Sequence, residues 1–170
     1  MKDCKMIVLK IGSALISSDE NLSDKLIKSL TAQINDYIKK GTNFVIVTSG
    51  AISQGQKILN INQKPIELES LQALAAIGQQ QLMGMYERSF QDYNLLTAQV
   101  LLTHADMNDM QRHSNAKATI EKILSMDVIP IINENDVVAT DEIKLGDNDA
   151  LAAMVSNLLD ADLMIILTNQ

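Results

Sequence analysis

Short apolar runs alternate with longer amphipathic segments along the whole chain. Continuous apolar runs indicate buried strands, and apolar residues three or four positions apart indicate helices with one buried face. The pattern predicts strands at residues 6–11, 44–47, 97–103, 128–132 and 163–167. It predicts helices at residues 24–40, 68–90, 114–126 and 149–159. Strands that alternate with helices form βαβ units, so the predicted fold class is α/β with parallel strands.

Signals at the ends of these segments refine the prediction. Ser23 is a good N-cap residue for the first long helix. Lys39 and Lys40 place cations in its last turn, and Gly41 is a suitable C-cap. Residues 136–145 alternate in polarity and predict a short hairpin.

The sequence ends on a strand-like run at residues 163–167. An α/β domain normally covers such a central strand with a further helix. No repeat, low-complexity segment or linker divides the chain, so residues 1–170 are expected to form one domain. We expect this domain to be the amino-terminal part of a longer polypeptide, with the fold incomplete at its carboxyl end.

Composition narrows the classes of function. Hydrophobic residues make up 46% and charged residues 21% of the chain, as in ordinary globular proteins. The net charge of −7 and the aromatic content of 3% disfavour nucleic-acid binding, which needs a basic surface and stacking side chains. No apolar run approaches the roughly 20 residues that span a membrane. Cys4 is the sole cysteine, which favours a reducing, cytoplasmic location.

Lys10 lies inside an apolar strand-like run, where lysine is seldom buried without a partner. One interpretation is an edge strand whose lysine reaches solvent along its aliphatic stem. The other is a cation directed at a ligand such as phosphate. The strand alone does not separate the two. Gly12 and Ser13 favour the second, because a glycine lets backbone N–H groups approach an anion.

Two further segments follow strands. Thr48–Ala51 opens a helix, so its hydroxyls are either ordinary N-caps or, with Ser49, part of an anion site at the helix start. Asn133–Asp136 has more polar side chains than a turn requires. Glu134 or Asp136 can bind an ammonium group there, and the asparagine carboxamides can bind a carboxylate.

Gly146–Asp149 precedes the last predicted helix. Its acidic and amide side chains are either capping groups or functional ones, with Asp149 able to orient Lys10. The phosphate-binding motif Gly-x-x-x-x-Gly-Lys-Ser/Thr and the dinucleotide motif Gly-x-Gly-x-x-Gly are both absent from the sequence. His104 and His113 favour surface or helix-end roles, and no metal ligand is predicted.

Seven segments, taken in this order, closely resemble the amino-acid kinase family, in particular its members that phosphorylate L-glutamate. The segments are Val8–Ser13, Val47–Ile52, Leu74–Gln79, Leu101–Thr103, Ile132–Asp136, Gly146–Asp149 and Leu167–Asn169. The resemblance implies a three-layer αβα sandwich with a mostly parallel central sheet. It implies transfer of the γ-phosphoryl group of ATP, with Mg²⁺, to the side-chain carboxylate of L-glutamate. That reaction opens proline synthesis, and L-proline commonly inhibits it.

The resemblance also implies roles for individual residues. Lys10 would neutralise charge on the transferring phosphoryl group, and Asp149 would hold that lysine in place. The residues implied in glutamate binding are Ser49, Asp136 and Asn148. The residues implied at the ATP site are Lys10, Gly12, Ser13, Thr168 and Asn169. Family members continue past this point with more of the nucleotide site, including a second lysine, and assemble as homo-oligomers.

Two alternatives stay open. The chain can belong to the same family and act on another substrate, such as acetylglutamate, aspartate, carbamate or a nucleoside monophosphate. It can also be a non-catalytic amino-acid-binding module. The polar segments Asn133–Asp136 and Gly146–Asp149 favour L-glutamate over the other substrates. The non-catalytic module would be favoured if the natural gene lacks the second nucleotide-binding segment.

Overall fold

A five-stranded parallel sheet forms the centre of the molecule in the computed structural model, which describes residues 4–17, 20–139 and 148–168. The strands are β1 Met6–Ile11, β2 Asn43–Thr48, β3 Leu96–Leu102, β4 Val128–Glu134 and β5 Leu163–Leu167. Their order across the sheet is β3-β4-β2-β1-β5, and every neighbouring pair is parallel. All five predicted strands are therefore confirmed, with bounds that differ by at most two residues.

Helices cover both faces of this sheet. They are α1 Ser13–Ser17, α2 Glu20–Ile38, α3 Ala51–Ile58, α4 Leu68–Gln91, α5 His104–Asn108, α6 Met110–Leu124 and α7 Asp149–Leu158. One apolar core joins the sheet to α1–α4, and a second joins its other face to α5–α7. The predicted three-layer αβα sandwich is confirmed. None of the described helices is both long enough and apolar enough to cross a membrane.

The alternation of side chains along β1 decides where Lys10 points. Successive strand residues face opposite sides of a sheet. Ile7 and Leu9 belong to the core under α1–α4, whereas Val8 belongs to the core under α5–α7. Lys10 has the same parity as Val8 and therefore faces the α7 side.

The connections between strands open a crevice at one edge of the sheet. From β1 through β2 to β3 the chain crosses on one face, and from β3 through β4 to β5 it returns on the other. The neighbours β2 and β4 therefore lead into helices on opposite faces. The carboxyl ends of strands at such a point are where open α/β sheets bind ligands.

Two glycines let α3 and α4 touch along their backbones. A Cβ atom on Gly55 would overlap the carbonyl oxygen of Leu74, and one on Gly78 would overlap the carbonyl oxygen of Ala51. Helices usually stay 8–10 Å apart because side chains separate their axes. The two glycines remove those side chains, and α3 is held close against α4 as a result.

The prediction that Ser23 caps the first long helix is wrong. The helix α2 begins at Glu20, so Ser23 lies within it. The Ser23 hydroxyl instead donates to the carbonyl oxygens of Ile16, at 3.0 Å, and Leu15, at 3.2 Å. Those carbonyls end the short helix α1 and need donors. The hydroxyl therefore fixes α1 to α2.

Other boundaries also differ from the prediction. The helix α2 ends at Ile38, so the prediction that Lys39 and Lys40 lie in its last turn is wrong. The helix α6 begins at Met110 rather than at residue 114, because the Asp109 side chain accepts a hydrogen bond from the Arg112 N–H at 2.9 Å and caps it earlier. The predicted hairpin at residues 136–145 lies partly outside the described residues. Its described beginning, residues 136–138, is a turn rather than a strand.

Substitution of Gly78 by alanine is expected to destabilise the protein by about 1–3 kcal/mol, since the new methyl group must push α3 away from α4. Gly84→Ala on the same helix is the matched control. Its Cβ would meet only the end of the flexible Arg88 side chain, at 3.2 Å, and alanine favours the helix by about 0.5–1 kcal/mol. Urea denaturation followed by circular dichroism measures both. Equal stability of the Gly78 variant and the wild type would contradict the proposed contact.

Candidate functional site

The residues singled out in the sequence meet at the carboxyl ends of β1, β2 and β4, beside the first turn of α7. A cavity of about 90 Å³ lies there. Its lining residues are Ser13, Ser49, Gly50, Ala51, Ile52, Ser53, Lys64, Asn133, Asp136 and Asn148. Three of the residues implied in substrate binding, Ser49, Asp136 and Asn148, therefore border one cavity.

Lys10 is buried and ion-paired. Its strand lies between β2 and β5, so the interpretation as an edge-strand lysine reaching solvent is wrong. The side chain is 5% exposed, and its Nζ lies 2.5 Å from Oδ1 of Asp149. Asp149 opens α7, where a carboxylate also interacts favourably with the helix dipole.

Gly12 lies next to the Lys10 ammonium group. A Cβ on Gly12 would lie 3.7 Å from both the Lys10 Nζ and the Thr168 Oγ1, and 3.2 Å from the carbonyl oxygen of Leu167. A cation and a hydroxyl therefore lie close together beside this glycine. The backbone N–H of Gly12 donates to the carbonyl of Leu167 at 2.9 Å, so it is already used within the protein.

The turn between β2 and α3 leaves a buried hydroxyl. The N-cap position belongs to Gly50, whose φ of 108° is left-handed, and neither Thr48 nor Ser49 caps the helix. Ser49 Oγ is buried without a hydrogen-bond partner among the described residues. Thr48 Oγ1 is instead 2.8 Å from the hydroxyl of Tyr86. Beside Ser49, the first N–H groups of α3 have no acceptor within their own helix.

The hydroxyl of Tyr86 is buried, and burial sets its protonation state. The ring lies under the β2–α3 turn, 1% exposed, and its burial raises the pKa of the phenol while the bond to Thr48 lowers it. The phenol stays neutral and can exchange a hydrogen bond with Thr48. This contact fixes the backbone of the turn from below.

Asn148 occupies the N-cap position of α7 but makes no capping bond with its side chain. Its Nδ2 donates to the carbonyl oxygen of Thr48, at 2.5 Å, and to Oδ1 of Asn133, at 2.7 Å. Both amide hydrogens are used, so the oxygen is the part of this carboxamide that remains for a ligand. The capping interpretation of Asn148 is therefore wrong.

Asn133 belongs to a row of hydrogen-bonded carboxamide side chains, the carboxamide relay, which runs from Asn148 through Asn133 and Gln79 to Gln99. It accepts from Asn148, and its own Nδ2 donates to Oε1 of Gln79 at 2.8 Å. Gln79 in turn donates to Oε1 of Gln99 at 3.3 Å. Asn133 also lines the cavity, so its expected contact with a ligand carboxylate stays a prediction. Its bonds to Asn148 and Gln79 hold the Asn148 side chain in position.

Asp136 combines burial with a nearby cation. Desolvation raises the pKa of its carboxyl group to about 6, and the positive charge of Lys64 opposes that rise. The carboxylate is therefore largely ionised at neutral pH but poorly solvated. Such a group gains from a cationic ligand.

Glu134, the other candidate for binding an ammonium group, does not line this cavity. It is buried, and its Oε2 lies 3.3 Å from Nδ1 of His104. His104 is the first residue of α5, which agrees with the helix-end role expected of it. Asp136 is thus the carboxylate that the cavity offers.

A wider groove of about 860 Å³ lies next to the cavity, between α4 and the ends of β3 and β4. Asp136 borders both spaces. The groove is lined by α4 side chains, among them Glu87 and Arg88, and by the ends of β3 and β4, and it lacks Ser49 and Asn148. Of the three residues implied in glutamate binding, all line the smaller cavity and only Asp136 lines the groove.

Sequence reasoning missed Gln79, Tyr86 and Lys64. Gln79 and Tyr86 lie within the α4 pattern, where helical periodicity marks a buried face but not a polar contact made across it. Lys64 lies in the loop after α3, and no motif singles it out. Three residues of the predicted motifs, Gly146, Asp147 and Asn169, lie outside the described residues.

The chain is similar in sequence to a known family and to several of its members. The profile of the amino acid kinase family matches residues 5–170. A glutamate 5-kinase of Janthinobacterium sp. (strain Marseille) is 46% identical over 171 residues, which is 100% of this chain and 46% of that protein. A glutamate 5-kinase of Burkholderia vietnamiensis is 47% identical over 169 residues, 99% of this chain and 45% of that protein. The chain spans about half the length of these curated relatives.

Solved structures support the fold alone. The carbamate kinase of Giardia has a TM-score of 0.62 at 15% identity, covering 98% of this chain and 73% of its own. The Giardia lamblia carbamate kinase bound to AMP-PNP has a TM-score of 0.61 at 15% identity, covering 99% of this chain and 75% of its own.

Replacement of Asp136 by asparagine is expected to change stability in a pH-dependent way. Burial raises the pKa of this carboxyl group from 3.8 to about 6. Below about pH 4 the group is protonated in both folded and unfolded states. Between pH 4 and pH 6 the unfolded state ionises first, so the wild type loses stability that the variant keeps. The variant should gain about 1–3 kcal/mol relative to the wild type over this interval.

Urea titrations at pH 4, 5, 6 and 7 measure this difference. Asp36→Asn removes the same charge from an exposed position on α2 and serves as the control. A difference between the Asp136 variant and the wild type that does not change with pH would contradict the raised pKa.

Proposed function

The chain belongs to the amino acid kinase family, and we propose that it supplies the amino-acid-binding half of a glutamate 5-kinase. In this proposal it binds L-glutamate and holds the side-chain carboxylate for phosphorylation by ATP. The observation that carries the proposal is the meeting of Ser49, Asn148 and Asp136 at one cavity, with Asp149 and its partner Lys10 next to Asn148 at the start of α7. The identity of 46–47% to glutamate 5-kinases over almost the whole chain supports it.

The ammonium group of glutamate would bind to Asp136 and to the oxygen of Asn148. Asp136 carries a poorly solvated negative charge, which an ammonium group stabilises. Asn148 uses both amide hydrogens within the protein, so it presents an acceptor. Two acceptors on one cavity wall favour an amino acid over a ligand without an amine, such as carbamate or an N-acylated amino acid.

The side-chain carboxylate of glutamate would lie between Ser49 and Lys10. Ser49 offers a buried hydroxyl without a partner among the described residues, next to the first N–H groups of α3. Helix N-termini favour anions through these N–H groups and the helix dipole. The carboxylate is ionised at neutral pH, so the site needs no general base to create the nucleophile.

Lys10 would neutralise charge on the phosphoryl group while it moves. Phosphoryl transfer depends mainly on positioning and on neutralisation of charge. Asp149 would keep the lysine charged and would limit its movement, as the 2.5 Å ion pair supports. Lys10 is therefore proposed as a catalytic residue, and Asp149 as the residue that positions it.

The donors near Gly12 fit the phosphates of ATP. The Lys10 ammonium and the Thr168 hydroxyl flank the position beside Gly12 where other residues carry a side chain. Cations, hydroxyls and glycine-lined backbone are the usual partners of phosphate. ATP would supply the γ-phosphoryl group, with Mg²⁺ on its phosphates. Asp149, which is half-exposed and paired with Lys10, would be the carboxylate that meets the ion, directly or through water.

Two expectations remain parts of the proposal. L-Proline shares with L-glutamate an α-carboxylate next to a cationic nitrogen, so Asp136 and Asn148 can accept it as a feedback inhibitor at the same cavity. Association into homo-oligomers is favoured by β3, which has one neighbour among the described strands and carries the exposed Leu96.

An acyl-phosphate trap tests the reaction. The polypeptide that contains these residues is incubated with ATP, Mg²⁺ and hydroxylamine, and hydroxamate formation is compared for L-glutamate, L-aspartate and N-acetyl-L-glutamate. We expect a signal with L-glutamate alone, because aspartate is one methylene shorter and the acetylated compound lacks the ammonium group. Absence of a signal with every amino acid would overturn the proposed function.

The variant Lys10→Ala tests the role of the lysine in the same assay. We expect kcat to fall roughly 100- to 1,000-fold with little change in the KM for glutamate, because the charge acts on the transferring group. Lys28→Ala removes an exposed lysine of α2 and should leave both constants unchanged. Comparable kcat values in the Lys10 variant and the wild type would refute the role.

A further inference from the structure

Lys64, in the loop between α3 and α4, lies at the edge of the cavity that is proposed to bind glutamate. Residues 59–67 connect α3 to α4, and Lys64 in this loop lines the cavity together with Ser49, Asn148 and Asp136. The side chain of Lys64 is exposed, so it borders the cavity from the solvent side. The proposed mechanism above assigns no role to this residue.

Lys64 and Asp136 are the two charged side chains among the described residues that line the cavity. They lie on different elements, the α3–α4 loop and the turn after β4. The positive charge of Lys64 acts on Asp136 and lowers the pKa of its carboxyl group against the effect of burial. The two charges therefore interact across the cavity.

The charge pattern of the cavity matches one end of an amino acid. A free amino acid carries an ammonium group and a carboxylate on the same carbon atom. Asp136 provides the negative partner for the first group, and Lys64 is the cation that lines the same cavity for the second. Lys10 is directed elsewhere, toward Asp149 and the space beside Gly12.

We infer that Lys64 binds the α-carboxylate of the amino-acid substrate and thereby selects free α-amino acids. The inference rests on the proposed function, which it deepens by giving a binding partner to the α-carboxylate, the third charged group of glutamate. The ammonium group would lie between Asp136 and Asn148, and the α-carboxylate would turn outward to Lys64. Substrates whose α-carboxylate is blocked would lose this contact while keeping the others.

The α-amide of L-glutamate separates this role from a general effect of charge. It keeps the ammonium group and the side-chain carboxylate, but its α-carboxylate is replaced by a neutral amide. In Lys64→Ala we expect the KM for L-glutamate to rise roughly tenfold, the effect of one charge-assisted hydrogen bond, with kcat unchanged. The KM for the α-amide should be the same in the variant and the wild type. Lys64→Arg should restore most of the affinity for L-glutamate.

Calorimetric titration of both compounds without ATP provides a readout that does not depend on turnover. Lys122→Ala, which removes an exposed lysine at the end of α6, is the control. An equal loss of affinity for L-glutamate and for the α-amide would overturn the inference, because Lys64 would then act through Asp136 or the loop. Unchanged affinity for L-glutamate in Lys64→Ala would overturn it as well.

The wild-type acyl-phosphate assay keeps the two proposals separable. If the wild type forms hydroxamate from L-glutamate and Lys64→Ala shows no selective loss, the inference about Lys64 fails and the proposed function stands. If the wild type forms none, the proposed function fails, and the titrations still decide the inference: a loss of affinity in Lys64→Ala confined to L-glutamate supports it, and an equal loss for both compounds or no loss overturns it.

Discussion

A buried cation on an interior strand is the constraint on which the site depends. Lys10 is 4% exposed on β1, with a parallel strand on each side. An ammonium group in such a place needs a counter-charge, because desolvation of a lone ion is very costly. Asp149 provides that charge from the first turn of α7. The ion pair therefore determines that the amino end of α7 faces the carboxyl end of β1, and it brings Asn148 to the crevice.

The same requirement for satisfied polar groups orders the rest of the crevice. The side-chain amides donate in one direction: Asn148 to Asn133, Asn133 to Gln79, and Gln79 to Gln99. The helix α4, which carries Gln79, is held against α3 by the contacts at Gly55 and Gly78. The carboxamides are thus fixed before any ligand arrives. Asn148 donates both of its amide hydrogens within the protein, so its side-chain oxygen is the atom that it presents to the cavity. A hydrogen-bonded polar network of this kind restricts side-chain motion, and rigidity is what a positioning site requires.

The fold followed from the sequence because its signals are local. Apolar runs located all five strands, and their alternation with helices indicated the parallel sheet. Lys10, Ser49 and Asp149 were identified because polar residues at strand ends stand out from their neighbours. Lys64 and Gln79 were not identified, because their function depends on contacts across 54 or more residues, such as Asn133 with Gln79. The capping role predicted for Ser23 failed because the hydroxyl found acceptors in α1, which no local pattern records.

The exposure of the two partners in the ion pair explains how one lysine can be held firmly and still act on a ligand. Lys10 is almost fully buried, whereas the Asp149 side chain is 42% exposed. Solvent weakens the field of a half-exposed carboxylate more than that of a buried ammonium group. The pair has no net charge, but its two fields do not cancel at the crevice beside Gly12, because solvent screens them unequally. A lysine paired with an equally buried aspartate would be positioned as well but would attract a phosphoryl group less.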